Sequence, residues 1–563
     1  MKRIQGKPLP LGAVVGSDEV NFAAAVSKGE ECTLLIYRKG EKEPCRKYPM
    51  EETTGEVCAA AIGEFDATEY EYNFEVDGEV CLDPYARAFS GREKWMGAGE
   101  LADHKVRGRI LKEDYDWEGD KPLKIPYHKV IAYALHVRGF TKDSSSKVKH
   151  KGTFQGVCEK LPYMKELGIN QIQCMPVWEF EERGRYTNYW GYGEAYYFAP
   201  KSAYSADGNG VTGLKDMVKS CHQTGIEVVL HMPFEPGVPG LVIHECLRYY
   251  VMEYHIDGFI LNPYTTPMES IYADPILKST KLMKYQEGFQ NTMRRFLKGD
   301  EGMVNDVMYW LRHHSKKEGI FNYIASHTGF TLQDLISYDS KHNEENGENN
   351  QDGPDYNYSW NCGAEGASRR KAVTELRKRQ AKNAFFLVLL AQGTPCILAG
   401  DEFGNTQGGN NNVYCQDNRT GWVNWKTGKA EQELFAFVKG LIALRKNYPV
   451  LSPEKESMGL DLAGCGVPDV SYHGELAWRA PSEVSSRQLG VYYCAVTLGG
   501  ADCFVAYNMH WLSHEFALPA MSGKRKWYLK ASTKEGILEE EVLLECQRQI
   551  KVEPRTILFI VGR

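Results

Sequence analysis

The octapeptide HIDGFILN, from His255 to Asn262, decides how the rest of the chain is interpreted. Its pattern predicts an approach turn and then a short buried strand, Gly258 to Leu261, that ends at Asn262. In an α/β barrel the carboxyl ends of the strands carry the residues that act on a ligand, so Asn262 occupies the place of a working side chain. An amide is a poor nucleophile and cannot serve as a general acid.

Strand-like and helix-like segments alternate on both sides of this octapeptide. Apolar runs predict the strands, and segments with helical spacing predict the helices between them. The predicted strands are 130–141, 170–180, 226–234, 258–261, 270–277 as the fifth, 321–330 as the seventh and 395–403 as the eighth. No segment is assigned to the sixth strand. This alternation predicts an α/β fold with a parallel (β/α)8 barrel.

Short alternating runs separated by turn residues flank the barrel region. They extend from Leu11 to about Ser90 and return after Pro449, and such runs are typical of antiparallel β-sandwiches. The chain is also too long for a single domain. We therefore expect an N-terminal β-sandwich at 1–95, a (β/α)8 barrel at 127–449 and a C-terminal β-sandwich at 450–563.

Composition restricts the classes of partner. The 563 residues include 67 basic and 74 acidic side chains, a net charge of -7, with no block of like charge. This balance argues against a nucleic-acid or anionic-membrane partner and suits a neutral ligand. The sequence contains neither a metal-binding cluster nor a glycine-rich phosphate loop, so we expect no metal and no cofactor.

The cysteines and the apolar segments indicate a cellular location. The 15 cysteines are scattered, odd in number and never spaced as a CxxC pair, which predicts reduced thiols. The first residues, MKRIQGKPLPLGAVVG, lack the apolar segment of a signal peptide, so a cytoplasmic protein is expected. The most apolar run, AFFLVLLAQGTPCILAG, is broken by Gln392, Gly393 and Pro395, which argues against a membrane span.

Several long strings resemble the α-amylase superfamily, and within it the isoamylase and glycogen-debranching subfamily. In the barrel region they are YALHVRGFT, LGINQIQCMPVWEF, NYWGYGEAYYFAPKSAYSA, FNYIASHTGFTLQDLISYDSKHNEENGENNQDG and GTPCILAGDEFGNTQGGNNNVYCQDN. GAVVGSDEVNFAAAVSKGEECTLLIY resembles the N-terminal sandwich module of glycogen branching and debranching enzymes, and PDVSYHG and VAYNMHW resemble the C-terminal domain. The likeness covers nearly the whole chain and implies a glycoside hydrolase fold.

The residues that this resemblance makes catalytic are replaced. A retaining α-glucosidase uses two carboxyl groups roughly 5–5.5 Å apart, one as nucleophile and one as acid/base. The family strand GFRxD is GFILN here, so Ile260 replaces the arginine and Asn262 the nucleophile. In SHTGF, Thr328 replaces the substrate-binding aspartate. The motif DxxxNH begins at His231 in place of its aspartate, and the acid/base motif AEP corresponds to ADP, which puts Asp274 in the place of the glutamate.

The replacements are physically consistent with one another. Loss of the nucleophile alone would leave a buried arginine unpaired, and an uncompensated buried charge costs roughly 3–5 kcal/mol. Isoleucine and neutral groups remove the whole charged network, so the barrel can fold without its chemistry. Asp274 also has a side chain one methylene shorter than glutamate, and misplacements on the order of 1 Å can cost ~100-fold in rate. We therefore predict a pseudo-enzyme.

Some residues that the resemblance assigns to sugar binding are retained. Tyr192 has the position of the aromatic ring that forms the floor beneath the sugar, and Trp190 lies nearby in the sequence. His327 matches a histidine that hydrogen-bonds sugar hydroxyls. Each of the three also has a structural interpretation, as packing or as a satisfied histidine at a strand end.

Three hypotheses follow. The first is an isoamylase-like protein that has lost hydrolase activity. It binds an α-glucan, either glycogen or a maltooligosaccharide, or it is the partner of an active debranching subunit. The second is a working debranching α-1,6-glucosidase with relocated carboxylates, for which a pair of His231 and Glu235 is a candidate. The third is an oligomeric scaffold, built from copies of this chain, without a sugar ligand. The adjacent Asp401 and Glu402 are expected to be structural, and the Asn-rich 347–363 to be an ordered loop that binds hydroxyls or caps the barrel.

Overall fold

The computed structural model describes residues 1–64, 66–97, 106–112, 114–315, 318–521 and 524–563. Contacts divide the chain into two compact units. The first consists of Met1–Leu123, His136–Lys160 and Cys174–Thr280; the second of Lys124–Leu135, Leu161–Gln173 and Lys281–Arg563. Among these residues, no helix is long and apolar enough to cross a membrane.

The N-terminal region is a sandwich of two antiparallel sheets. Its strands are β1 (Lys2–Gln5), β2 (Gly12–Val15), β3 (Glu19–Ala25), β4 (Cys32–Arg38), β5 (Arg46–Pro49), β6 (Glu51–Glu52), β7 (Val57–Gly63), β8 (Tyr70–Val76), β9 (Glu79–Cys81), β10 (Phe89–Ser90) and β11 (Arg107–Arg109). One sheet has the order β1-β7-β3-β2 with β6 paired to β7, and the other has the order β10-β11-β8-β4-β5 with β9 paired to β8. Phe22, Leu34, Ile62 and Phe74 are buried in the core between them.

The middle of the chain alternates strands and helices, as the sequence predicts. The elements are β12 (Ala132–Leu135), α1 (Val137–Lys142), α2 (Phe154–Glu159), α3 (Leu161–Leu167), β13 (Gln171–Cys174), β14 (Trp178–Phe180), β15 (Ala195–Pro200), α4 (Gly210–Thr224), β16 (Glu227–His231), α5 (Gly240–Tyr254), β17 (Gly258–Ile260), α6 (Met268–Ala273), β18 (Lys281–Lys284), α7 (Glu287–Lys298), α8 (Val304–Arg312), β19 (Gly319–Asn322), α9 (Leu332–Leu335), α10 (Lys371–Leu389), β20 (Thr394–Leu398) and α11 (Lys429–Asn447).

Seven of these strands close a barrel in the order β12-β13-β16-β17-β18-β19-β20. The pairs β12–β20, β16–β17, β18–β19 and β19–β20 are parallel. The predicted barrel is therefore confirmed, although it contains seven strands within the described residues and not eight.

The missing strand is the predicted fifth one. The segment 270–277 was expected to be a strand, but it contains the end of helix α6, and the next barrel strand is β18. An apolar run this short fits either structure, and Pro275 has no N–H for a strand ladder. The strand prediction for 270–277 is therefore wrong.

The seventh predicted strand, 321–330, is also placed differently. The strand is β19, which ends at Asn322, so the SHTGF motif lies in the loop that follows it. The first predicted strand, 130–141, is likewise shorter, because α1 begins at Val137. His136 caps this helix by accepting a hydrogen bond from Gly139 N at Nδ1, 3.0 Å away.

The C-terminal region is a second antiparallel sandwich. Its elements are β21 (Val470–His473), β22 (Gln488–Tyr493), α12 (Ala495–Leu498), β23 (Asp502–Asn508), β24 (His514–Ala517), β25 (Trp527–Ser532), β26 (Gly536–Leu543), β27 (Gln549–Val552) and β28 (Thr556–Gly562). The main sheet has the order β21-β22-β23-β28-β25-β26, and β24 pairs with β27. Phe504, Phe516, Trp527 and Ile560 lie in its core.

Hydrogen bonds fix the segment that leads into β17. His222, at the end of α4, lies between two carboxylates: Nδ1 is 2.9 Å from Asp120 and Nε2 is 2.9 Å from Asp257. Asp257 also accepts the backbone N–H of Val228 at 2.7 Å. Burial alone would lower the pKa of His222, but the hydrogen bonds to Asp257 and Asp120 outweigh it and raise the pKa above 6.5.

This histidine predicts a pH-dependent stability. Because its pKa is raised on folding, the stabilisation is fully present below the unfolded pKa of about 6.5 and is lost as the pH rises through the higher folded pKa. The difference in unfolding free energy between the wild type and His222→Gln should therefore shrink from about pH 6 to about pH 9. Urea unfolding measures it, with His150→Gln as the surface control. A difference that stays constant over this range would contradict the assignment.

Candidate functional site

Asn262 forms a turn beyond the end of β17. Its Oδ1 accepts the N–H of Tyr264 at 3.0 Å, and its carbonyl accepts the hydroxyl of Thr266 at 2.6 Å. This is the local hydrogen bonding by which asparagine closes a turn. The residue is exposed, and the turn presents Tyr264 with 95% of its surface accessible. At the position expected for a nucleophile, the structure therefore has an amide that shapes the loop.

Ile260 and His231 lie side by side at the ends of paired strands. β16 and β17 are parallel, with His231 opposite Ile260 in the register. The Ile260 carbonyl accepts Met232 N at 3.1 Å, and Ile260 is 1% exposed. A buried aliphatic side chain thus occupies the position expected for an arginine. It cannot hold a carboxylate in the ionised state.

Tyr192 and His231 form an aromatic pair with Trp190 beside them. The Tyr192 hydroxyl is 3.2 Å from Nδ1 of His231, and the two rings are almost perpendicular with centroids 5.8 Å apart. The Trp190 ring is 5.6 Å from that of Tyr192. Burial raises the pKa of Tyr192, so its hydroxyl stays protonated. Tyr192 is partly exposed, whereas Trp190 is buried.

The loop that carries Tyr192 is held in one conformation. Asn188 donates from Nδ2 to the Tyr192 carbonyl at 2.8 Å and accepts Gly191 N at 3.0 Å. Gly191 has a φ of 80°, and a Cβ there would lie 2.4 Å from the Phe180 ring. Only glycine fits this position. The backbone that carries the tyrosine ring is therefore fixed in one conformation.

Asp274 is engaged in structural contacts. Its Oδ2 accepts Arg248 Nε at 2.6 Å, and its Oδ1 accepts the N–H groups of Ile276 and Leu277 at 2.8 and 3.0 Å. Burial alone would raise the pKa of Asp274, but the hydrogen bonds from Leu277, Arg248 and Ile276 outweigh it and lower the pKa. A carboxyl group with a lowered pKa is ionised at neutral pH and is unsuited to be a general acid. The position assigned to the acid/base thus carries an ion-paired residue after α6.

Glu235, the other candidate carboxylate, follows β16. It lies beyond Pro233 in a turn, where its carbonyl accepts Val238 N at 3.3 Å, and it is half-buried. The His231 ring makes a hydrogen bond with the Tyr192 hydroxyl through Nδ1. A His231–Glu235 acid–base pair therefore stays a prediction.

His327 and Thr328 lie in the second unit, in the loop after β19. Burial lowers the pKa of His327 to about 4, so the imidazole is neutral at neutral pH. Thr328 is exposed, and its hydroxyl is 3.3 Å from that of Ser326. A threonine hydroxyl cannot replace the charge of an aspartate, but the exposed Thr328 can still hydrogen-bond a neutral hydroxyl.

Asp401 and Glu402 are fully engaged in the barrel scaffold. Glu402 accepts the hydroxyls of Tyr133 and Tyr163 at 2.8 and 2.6 Å, and its other oxygen accepts Gly400 N at 3.0 Å. Asp401 accepts Leu332 N at 2.9 Å. Burial raises the pKa of both carboxyl groups. Their contacts support the structural interpretation of this pair.

Amides of two neighbouring segments bond to one another and to Asp352 of the Asn-rich loop. Asn343 donates to the Asn411 side chain at 2.8 Å, and Asn346 donates to Asp352 Oδ2 at 2.7 Å. Asn412 donates to the same oxygen at 2.9 Å. These contacts fix the loop at Asp352 against its neighbours, so the geometry favours the capping alternative.

A buried charged cluster near β14 was missed in the sequence. Lys201 lies 2.9 Å from both Glu179 and Glu182, and Arg92 also pairs with both. Burial alone would raise the pKa of Glu182, but Lys201 and Arg92 outweigh it and lower the pKa. The signal was the run WEFEER, 178–183, which contains β14 and the three charged residues after it. Because both carboxylates are neutralised by cations, they are poor candidates for relocated catalytic groups.

Comparisons with known proteins agree with this architecture. The family model described as the α-amylase catalytic domain matches residues 135–234. Isoamylase 1, chloroplastic, of Arabidopsis thaliana is 30% identical over 92% of this chain and 84% of its own length. The glycogen debranching enzyme of Erwinia tasmaniensis is 31% identical over 80% of this chain and 85% of its own length. The structure of pullulanase type I from Bacillus subtilis, complexed with maltose, superposes with a TM-score of 0.75 and 19% identity, covering 98% of this chain and 85% of that one.

Proposed function

The chain belongs to the isoamylase-like subfamily of the α-amylase superfamily, and from this premise we propose that it binds α-glucan without hydrolysing it. The observation that carries the proposal is the turn at Asn262. An amide whose oxygen accepts the N–H of Tyr264 stands where a retaining glycosidase needs a carboxylate.

The assumed acid/base position supports the same conclusion. Asp274 is held by Arg248 and by two backbone N–H groups, and a lowered pKa keeps it ionised. Glycoside cleavage needs a carboxylic acid that protonates the leaving oxygen. Because these positions carry neither a nucleophile nor a proton donor, a glucan that binds here is not cleaved.

The retained Tyr192 supports glucan as the ligand. Tyr192 is held at its backbone carbonyl by Asn188, is partly exposed and is hydrogen-bonded to His231 through its hydroxyl. Aromatic rings of this kind offer a flat apolar face to the C–H side of a sugar ring. A pullulanase of the same fold has been crystallised with maltose, which makes α-linked maltooligosaccharides the first ligands to test. An active debranching subunit or a second copy of this chain is the proposed partner.

Co-sedimentation with glycogen tests the binding half of the proposal. The full-length protein should pellet with glycogen and be released by maltohexaose, whereas a β-linked oligosaccharide of the same length should leave it bound. Protein that stays in the supernatant at every glycogen concentration would contradict the proposal and favour a scaffold without a sugar ligand.

Restoring the nucleophile alone should not restore hydrolysis. Asn262→Asp, alone or with Ile260→Arg, supplies a carboxylate but no proton donor, and both groups are needed for a retaining mechanism. We therefore expect no reducing ends above those released by the Asn262→Ala control. Measurable release by Asn262→Asp would show that a proton donor is present and would revive the hydrolase hypothesis.

A further inference from the structure

Two cysteines of the C-terminal region lie with their sulfur atoms 3.9 Å apart. They are Cys465, exposed in the loop before β21, and Cys494, which follows β22 and is 1% exposed. The scattered cysteines predict reduced thiols, and here an exposed thiol lies beside a buried one. One sulfur is open to reagents, and the other is shielded.

The base of the Cys465 loop is fixed beside Cys494. The Asp469 carbonyl accepts Cys494 N at 3.0 Å. The Asp469 carboxylate, which is 1% exposed, accepts Met458 N and Gly459 N, both at 2.8 Å. One residue thus ties both ends of the loop to the chain that carries Cys494. The proximity of the two thiols follows from this anchor.

The tip of the loop is ordered but has space to move. Asp461 accepts Cys465 N at 2.9 Å and Gly466 N at 2.7 Å. Gly464 and Gly466 have φ values of 65° and 82°, and no atom lies within 4 Å of a Cβ placed on either one. A disulfide needs an S–S distance of about 2.05 Å, so the sulfurs must approach by about 2 Å. A glycine-rich, uncrowded tip can supply that movement.

We propose that Cys465 and Cys494 are a redox-active pair that forms a disulfide when a hydroperoxide is present. Hydrogen peroxide converts the exposed Cys465 thiolate into a sulfenic acid and releases hydroxide. The Cys494 thiolate then attacks the sulfenic sulfur, forms the S–S bond and releases a second hydroxide. The two hydroxides take the two thiol protons and become water, so two thiols and one peroxide give one disulfide and two waters.

The disulfide would join an exposed apolar loop to the sandwich. The loop carries Met458, Leu460 and Leu462, each more than half exposed. The cross-link would limit the positions that these side chains can take. This site does not depend on glucan binding, so its test is separate from that of the proposed function.

Peptide mapping of the full chain tests the pair. The reduced protein is treated with hydrogen peroxide, alkylated and digested without reduction. We expect the peptide with Cys465 to be joined to the peptide with Cys494, and dithiothreitol to separate them. Cys494 and Cys503 share a tryptic peptide, because 489–523 contains neither Lys nor Arg, so fragment ions must locate the bond.

Two serine variants give the controls. Cys465→Ser should abolish the cross-link and leave Cys494 as a free thiol, whereas Cys546→Ser, which removes another exposed thiol, should leave the cross-link intact. The proposal is overturned if Cys465 is converted to sulfinic or sulfonic acid while Cys494 remains a thiol. It is equally overturned if the bond from Cys494 leads to a cysteine other than Cys465.

Discussion

Glu402→Ala is expected to lower the free energy of unfolding by about 3–5 kcal/mol, because the substitution removes the acceptor of three hydrogen bonds in and beside the core at about 1–3 kcal/mol each. The donors are the hydroxyls of Tyr133 and Tyr163 and the N–H of Gly400. Chemical denaturation followed by tyrosine and tryptophan fluorescence measures the change.

Glu402→Gln is the matched variant for this prediction. It keeps an acceptor oxygen and the side-chain volume, so the expected loss is smaller, about 1 kcal/mol. A loss below about 1 kcal/mol for the alanine variant would show that the contacts of Glu402 contribute little to stability. The structural assignment of the Asp401–Glu402 pair would then lose its support.

Tyr192→Ala is expected to weaken glucan binding by roughly tenfold in Kd, which corresponds to about 1.4 kcal/mol. The substitution removes the ring whose hydroxyl contacts His231, and stacked aromatic surfaces contribute about 0.5–1.5 kcal/mol beyond the area that they bury. Titration calorimetry with maltohexaose measures the change.

Two further variants isolate the role of the ring. Tyr192→Phe loses the hydroxyl that contacts His231 but keeps the ring, so it should bind nearly as well as the wild type. Tyr309→Ala removes an exposed tyrosine on α8 and should leave the affinity unchanged. Equal affinities for the wild type and Tyr192→Ala would place the ligand elsewhere on the protein.

The alternation of strand-like and helix-like segments was enough to predict the barrel, and the short alternating runs on either side of it were enough to predict the flanking sandwiches. β16, β17 and β20 are apolar runs with clear ends. Because these strands are buried, they can be recognised in the sequence from their apolar residues. The segment 270–277 was not predictable in this way. Its few apolar residues fit a strand or a helix, and the neighbours that decide between them are distant in the sequence.

The candidate site was also predictable from the sequence only in part. The identities of Ile260, Asn262 and Thr328 were visible in the sequence, because a missing charge is a property of the residue itself. The arrangement of their contacts was not. The ion pair of Asp274 with Arg248 and the position of His222 between two carboxylates join residues that are far apart in the chain. No local pattern encodes such contacts.

The release of reducing ends by the wild-type protein from a branched α-glucan tests the central claim most directly. The claim is that the barrel lacks both a nucleophile and a proton donor. Purified protein incubated with glycogen or pullulan should release no more reducing ends than a protein-free blank, under conditions in which it co-sediments with glycogen. Release above the blank that one substitution in the barrel abolishes would contradict the account.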